Sequence, residues 1–333
     1  MLKYIGMAAI LAAFLVTSIA GLWIVKCEKF LDNTIVTIEL EIEPNSTFND
    51  LYKRLFEHLE TPTLFRQYLI KRVKLDRNMK YGYYRAKELP VRRVIDAVMK
   101  GRQSTMKVTI PEGYNIYDVS NRVSERIVES ASEFLKTVKD KSFVKNLTGE
   151  EYATLEGFLY PDTYFFPPKS TPKFVASSMY QAFLKLLPAD FDAKAKKLGL
   201  TRYEAIILAS IIQKETYDTA EAPIISSVFH NRLKYRMRLQ ADPTIIYGLY
   251  PEFDGNITKR NLRDSSNPYN TYKINGLPPT PICSPSKIAL EAAVNPADTK
   301  YLYFVADKNR KHIFSKNYRE HTNKVNKHQK RRW

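Results

Sequence analysis

A chain of 333 residues that is 44% hydrophobic and 12% aromatic can bury a sizeable core in two domains, which excludes a disordered protein. Its formal net charge of +17 calls for an anionic partner or surface, and two cysteines are too few for a disulfide framework. The sequence has no Gly-rich phosphate loop, no G-x-S-x-G elbow and no H-E-x-x-H pair, and its five histidines lack ligand spacing, so neither a metal nor a cofactor is expected.

Ile5 to Val25 carry no charge. As a helix they span roughly 30 Å, the thickness of a bilayer core, which predicts one transmembrane helix. A cleaved signal peptide is the rival reading, with Lys3 as the positive region and Ser18-Ile19-Ala20 as the cleavage site. The apolar run continues through Leu22, Trp23, Ile24 and Val25, which favours an anchor. Membrane anchoring argues against a nucleic-acid partner despite the basic charge. Cys27 follows the bulky Lys26, unlike a lipoprotein attachment site, and Cys27 and Cys283 read as free thiols.

Thr34 to Glu43 alternates, with Val36, Ile38, Leu40 and Ile42 on one side, and predicts a strand with one buried face. A helix follows over Phe48 to Leu59, a shorter one over Thr63 to Lys71, a strand over Tyr81 to Arg85 and a helix over Val91 to Lys100 closed by Gly101. Residues 1–32 are therefore a stub, the transmembrane helix and a linker, and 33–103 a small α+β domain. From Met106 a strand runs into the turn Pro111-Glu112-Gly113, and Ile116 to Glu129 is an amphipathic helix. Lys136 to Glu151 is polar and reads as loop or loose helix. In LEGFLYPDTYFFPP, Leu155 to Pro168, two carboxyls stand out. Glu156 either caps a helix or touches a ligand, and Asp162 either orders the turn after Pro161 or acts as a partner acid.

Helices are expected over Phe174 to Leu187 and from Arg202 onward. The second contains AIILASIIQKET, Ala205 to Thr216, where Glu215 shares a face with Ile212, Ile211 and Leu208. A carboxyl held against apolar side chains has a raised pKa and can serve as a general acid; the plain alternative is a helix end paired with a cation. Ala222 to Lys234 is a further helix with Ile225, Val228, Phe229 and Leu233 on its apolar side. Asp242-Pro243-Thr244 reads as an N-cap with proline following. Asp254 to Pro279 is a long, turn-rich segment of the kind that carries function. Ser284-Pro285 starts a helix through Val294, Tyr301 to Ala306 and His312 to Ser315 form a hairpin around Lys308-Asn309, and the basic tail from His321 reads as a solvated end.

SIIQKE, RLQADPTIIYG, NPYNTYKINGLPP and YLYFVAD together resemble the catalytic domain of the endolytic murein transglycosylases, the YceG-like family, and the likeness extends from the anchor to about Tyr318. The resemblance implies an α+β protein: an N-terminal transmembrane helix, a small lysin-motif-like α+β domain and a mixed α/β catalytic domain over 104–333. It makes Glu215 the catalytic acid, while Gln213 holds the motif's other acidic position and carries no acid chemistry. The resemblance implies Gln240, Tyr269, Asn270, Tyr272 and Glu156 at the substrate; Tyr303 joins them as a ring of the kind that packs on sugars, and Asp242, Gln240 or a backbone carbonyl as a group that can stabilise charge on the sugar ring. The implied partner is the peptidoglycan glycan strand, with peptidoglycan synthases as further candidates, and the implied place is the inner membrane with the catalytic domain outside the cytoplasm. The implied reaction cuts the bond between N-acetylmuramic acid and N-acetylglucosamine without water and leaves a 1,6-anhydro end. The rivals are a hydrolytic muramidase using Glu215 with Glu156 or Asp162, and a wall-binding scaffold without activity.

Overall fold

The computed structural model describes residues 2–216, 218–308 and 311–328. They divide between Met106 and Lys107 into two units. The first begins with α1 (Leu2–Asn33), the one helix among the described residues long and apolar enough to cross a membrane. Its side chains from Tyr4 to Leu22 are exposed. Residues 26–32, expected to form a linker, continue this helix instead. Cys27 and Leu31 are fully buried, Phe30 packs against the rings of Phe56 and Phe65, and Arg92 pairs with both Glu28 and Asp32. Both cysteines of the chain are free and buried.

β1 (Ile35–Ile42) follows, then α2 (Phe48–Phe56), whose first turn is closed by a reciprocal cap between Thr47 and Asp50. The second expected helix, over Thr63 to Lys71, is α3 (Phe65–Tyr68) running into a π-turn at Leu69–Val73, and α4 (Leu75–Asn78) follows beyond it. β2 (Gly82–Pro90) pairs antiparallel with β1, setting Leu40 opposite Tyr84 and Ile38 opposite Ala86. It outruns the expected strand because this register carries pairing on to Pro90. α5 (Val91–Lys100) ends at Gly101, whose φ of 65° is the left-handed cap predicted for it.

β3 (Met106–Thr109), whose first residue closes the first unit, leads into the second and to α6 (Ile116–Ser124), shorter than expected. The polar stretch read as loop or loose helix is helical: it supplies the end of α7 (Ala131–Val138) and all of α8 (Lys141–Thr148), capped by Ser130 and Asp140. β4 (Thr163–Phe166) pairs with β3, and α9 (Pro172–Leu186) and α10 (Phe191–Lys197) follow. Next comes α11 (Arg202–Glu215), buried without a break from Ala205 to Gln213. Such a helix is apolar on every side because it is the centre of the core rather than a surface helix. α12 (Ala222–Lys234), α13 (Asp242–Tyr247) and α14 (Lys259–Arg263) lead to α15 (Lys287–Val294), and α12 and α15 pack on α11. Ser286, two residues beyond the expected start, caps α15, and its N–H donates to the buried Gln213 Oε1 at 2.8 Å.

β5 (Tyr303–Ala306) and β6 (His312–Ser315) form the expected antiparallel hairpin, with Tyr303 opposite Ser315. Asn309 of its turn lies outside the described residues. The tail is not simply a solvated end. α16 (Tyr318–His328) packs on both hairpin strands, and Lys324 Nζ donates to the Phe314 carbonyl at 2.6 Å. Lys330, Arg331 and Arg332 lie outside the described residues.

Candidate active site

Buried on all sides, α11 carries its last residue, Glu215, out of the core into a cavity of about 360 Å³. Apolar side chains of Phe229, Leu239 and Phe304 meet the polar groups of Arg232, Gln240, Asp242, Tyr272 and Tyr303 there. Glu215 is partly exposed to this cleft. Burial pushes its pKa up to about 7, with the charge of Asp242 adding to the rise and that of Arg232 opposing it. A helix C-terminus is also the negative end of the helix dipole, a further reason for a carboxylate there to hold a proton.

Arg232, which the sequence reading passed over, organises the cleft. Only 8% exposed, it donates from Nε to the Leu302 carbonyl at 2.7 Å. Its Nη1 reaches the Leu239 carbonyl at 2.9 Å and Gln240 Oε1 at 3.3 Å, and its guanidinium lies 5.0 Å from the Tyr303 ring centre. One cation thus ties α12 to the segment before α13 and to β5. Gln240 is held at φ 51°, in the left-handed region that non-glycine residues rarely occupy, by its N–H bond to the Thr271 carbonyl at 3.2 Å.

Asp242 differs from its expected role. The N-cap of α13 is Ala241, with no side-chain cap, and Asp242 is the first helical residue. Its carboxylate accepts the Tyr272 hydroxyl at 2.7 Å instead, and this bond holds it in the cleft beside Glu215. Two groups that no motif placed at the site also line it. Tyr318 and His321 of α16 close one side, with the His321 ring stacked on Tyr303 at 5.1 Å. Burial and the nearby Arg232 charge lower the His321 pKa.

Three residues expected at the substrate lie away from the cleft. Asn270 is fully buried, donates to the Asp264 carbonyl at 2.6 Å and accepts the Tyr272 N–H at 3.0 Å, so it shapes the loop that places Tyr272. Tyr269 packs on the core, edge-on to Tyr247 at 4.9 Å, with its hydroxyl bonded to Thr280 at 2.9 Å. Glu156 is also fully buried, and its Oε2 accepts the N–H of Ile116, the first residue of α6, at 2.9 Å. The cap of α6 itself is Asn115, and Glu156 adds to it by taking the one remaining N–H of that first turn, close to the capping side of its two readings. Asp162 accepts the Thr163 N–H at 2.7 Å and orders its turn. Gly157, beside Glu156, has φ 83°, and a Cβ there would lie 2.6 Å from Pro281; only glycine suits that approach.

A larger cavity of about 1000 Å³ is lined by other residues of α11 and α12, among them Tyr203, Glu204 and His230. Its glutamate is occupied in the cap of α11, accepting the Thr201 N–H at 2.7 Å. Size alone therefore does not choose the site. No cluster of three or more His, Cys, Asp or Glu placed to hold a metal occurs among the described residues.

Fold and cleft define a class: an α+β protein whose buried central helix presents an acid to a groove of tyrosines with one amide and one buried cation, equipment for acid–base work on a polar ligand. The chain belongs to the YceG-like family, whose sequence profile matches residues 40–327. It is 30% identical over 256 residues to the endolytic murein transglycosylase of Bacillus subtilis, covering 72% of this chain and 70% of that protein. A protein of the same name from Streptococcus pneumoniae is 29% identical over 283 residues, 75% of this chain and 51% of its own length, so the chain spans about half of that relative. The crystal structure of a YceG-like protein from Listeria monocytogenes superposes with a TM-score of 0.59 at 30% identity, covering 87% of this chain and 99% of that one.

Proposed function

We propose that this chain is an endolytic lytic transglycosylase that cuts peptidoglycan glycan strands without water, using Glu215 as its acid and base. The observation that carries the reading is a carboxyl with a pKa of about 7 that opens into a cleft lined by Arg232, Gln240, Asp242, Tyr272 and Tyr303. The name borne by the curated relatives supports it. In this mechanism the protonated Glu215 gives its proton to the glycosidic oxygen as the bond from the anomeric carbon of N-acetylmuramic acid breaks. The Glu215 carboxylate then takes the proton from that sugar's own C6 hydroxyl, whose oxygen closes onto the anomeric carbon. The substrate supplies the nucleophile, already held within reach, so no water enters the balance. Asp242, steadied by Tyr272, is placed to stabilise positive charge on the sugar ring, and the tyrosine rings pack on the apolar faces of sugars.

The small first unit, two strands enclosing short helices, serves in this reading as a lysin-motif-like wall-binding module. α1 anchors the chain in the inner membrane with the cleft on the outer side. A second carboxyl in the cleft gives a hydrolytic reading its one point of support, because a glycosidase uses two acids. Digestion of purified glycan strands by the detergent-solubilised full chain separates the two by product mass. Anhydro ends lack the water that hydrolysis adds, and hydrolysed ends at the normal yield sink the transglycosylase reading.

A further inference from the structure

The first unit holds its own cavity, about 540 Å³, between α1 and the α3 region. Val16, Ile19, Trp23 and Ile24 of α1 make one wall; Leu64 and Tyr68 stand opposite. Its floor is fixed, since Trp23 Nε1 donates to the Thr63 carbonyl at 2.7 Å and the Trp23 ring meets Tyr68 edge-on at 5.9 Å. Leu64 is 57% exposed at the tip, and the exposed cations Lys71 and Arg72 line the same notch. No acidic residue occurs from Leu64 to Leu75, a stretch that carries Arg66, Lys71, Arg72 and Lys74.

Depth gives the arrangement its meaning. From Val16 to Ile24 the helix rises roughly 12 Å, so the notch lies along the outer half of the stretch that would sit in hydrocarbon. An apolar slot that opens sideways from a membrane helix, with two cations beside it and an indole near its end, matches one chain and one headgroup of a lipid. We propose that the notch binds an anionic phospholipid of the adjoining leaflet, an acyl chain lying between α1 and Leu64 and its phosphate on Lys71 and Arg72. Bound there, the lipid seats the small unit directly on the membrane surface. The inference rests on α1 crossing the membrane and is independent of the chemistry at Glu215.

Native mass spectrometry of the full chain in detergent tests it, with phosphatidylglycerol and phosphatidylcholine offered in equal amounts. Two cations near a headgroup favour the anionic lipid by about thirtyfold, and the double variant Lys71→Gln, Arg72→Gln abolishes that preference while its unfolding temperature stays unchanged. Leu64→Asn, which removes the apolar wall without adding charge, lowers retention of both lipids alike. Equal retention of the two lipids by the unaltered chain overturns the assignment, and so does complete displacement of phosphatidylglycerol by an equimolar prenyl diphosphate, which names a different lipid. Carbonate washing of vesicles tests the premise separately: a chain that washes off ends the membrane reading and this inference together, whereas glycan cleavage by the same preparation reports on Glu215 alone.

Discussion

Two glutamates of the second unit share a raised pKa and almost nothing else. Glu215 reaches about 7 and Glu156 about 8, both chiefly through burial. Glu156 is sealed, bonded to the N–H groups of Ile116 and Gly157 and to the Tyr247 hydroxyl, and it ties the LEGF segment to α6. Glu215 stands where a core helix ends and a cleft begins, facing Asp242 and Arg232. A shifted pKa marks burial, and burial is common to structural and catalytic acids. Access is what separates them.

The contrast is broken or sharpened most strongly at Glu215. Replacing it by Gln removes the transferable proton and is expected to lower the rate on glycan strands by about 10²–10⁴-fold, with thermal unfolding unchanged. Glu156→Gln in the same assay stays close to the original rate; a loss as large as that of the Glu215 variant would show the assignment of roles to be inverted. Next in size, Glu156→Ala strands buried donors, at about 1–3 kcal/mol of stability, read as a fall of several degrees in the unfolding midpoint.

A smaller effect separates the two acids by pH. As the proton donor, Glu215 must be protonated, so activity is highest below its pKa of about 7 and declines above it. Asp242→Asn removes the charge that helps raise this pKa, and the decline then begins at lower pH; a profile that does not move would show that Asp242 does not act on Glu215. A last effect concerns stability alone. The pKa of Glu156 is raised from 4.5 to about 8 on folding, so its contribution is full below 4.5 and is lost as pH rises through about 8. Glu156→Gln removes this loss, and denaturant midpoints of the variant are expected to fall less than those of the parent between pH 6 and 9.

Much of this was legible in residue order, where local signals are strong. The alternation of β1, the cap of α5 at Gly101, the span of α12 and the oily helix ending in Glu215 all follow from periodicity and capping chemistry. The resemblance that rests on SIIQKE and YLYFVAD was legible too. Less visible were groups whose role depends on distant partners. Arg232 sits among the residues of an apparently ordinary helix, and its meeting with Leu302 and Tyr303 spans some seventy positions. Asp242 wears the pattern of an N-cap, but a hydroxyl thirty residues on claims its carboxylate. The lysine-rich tail reads as solvated until β5 and β6 give α16 a surface to pack on.

The sequence by itself determined the helices with strong periodicity and caps, such as α2, α5, α11 and α12, which stretch is apolar enough to lie in a membrane, and which glutamate sits on a greasy face, because each depends on neighbours within a few residues. Only the tertiary structure decided that Glu215 has an opening while Glu156 has none, that Asn270 and Tyr269 support the cleft from behind, and that α16 walls it. Those outcomes depend on which surfaces remain uncovered once the helices pack, a quantity set by contacts between residues far apart in the chain.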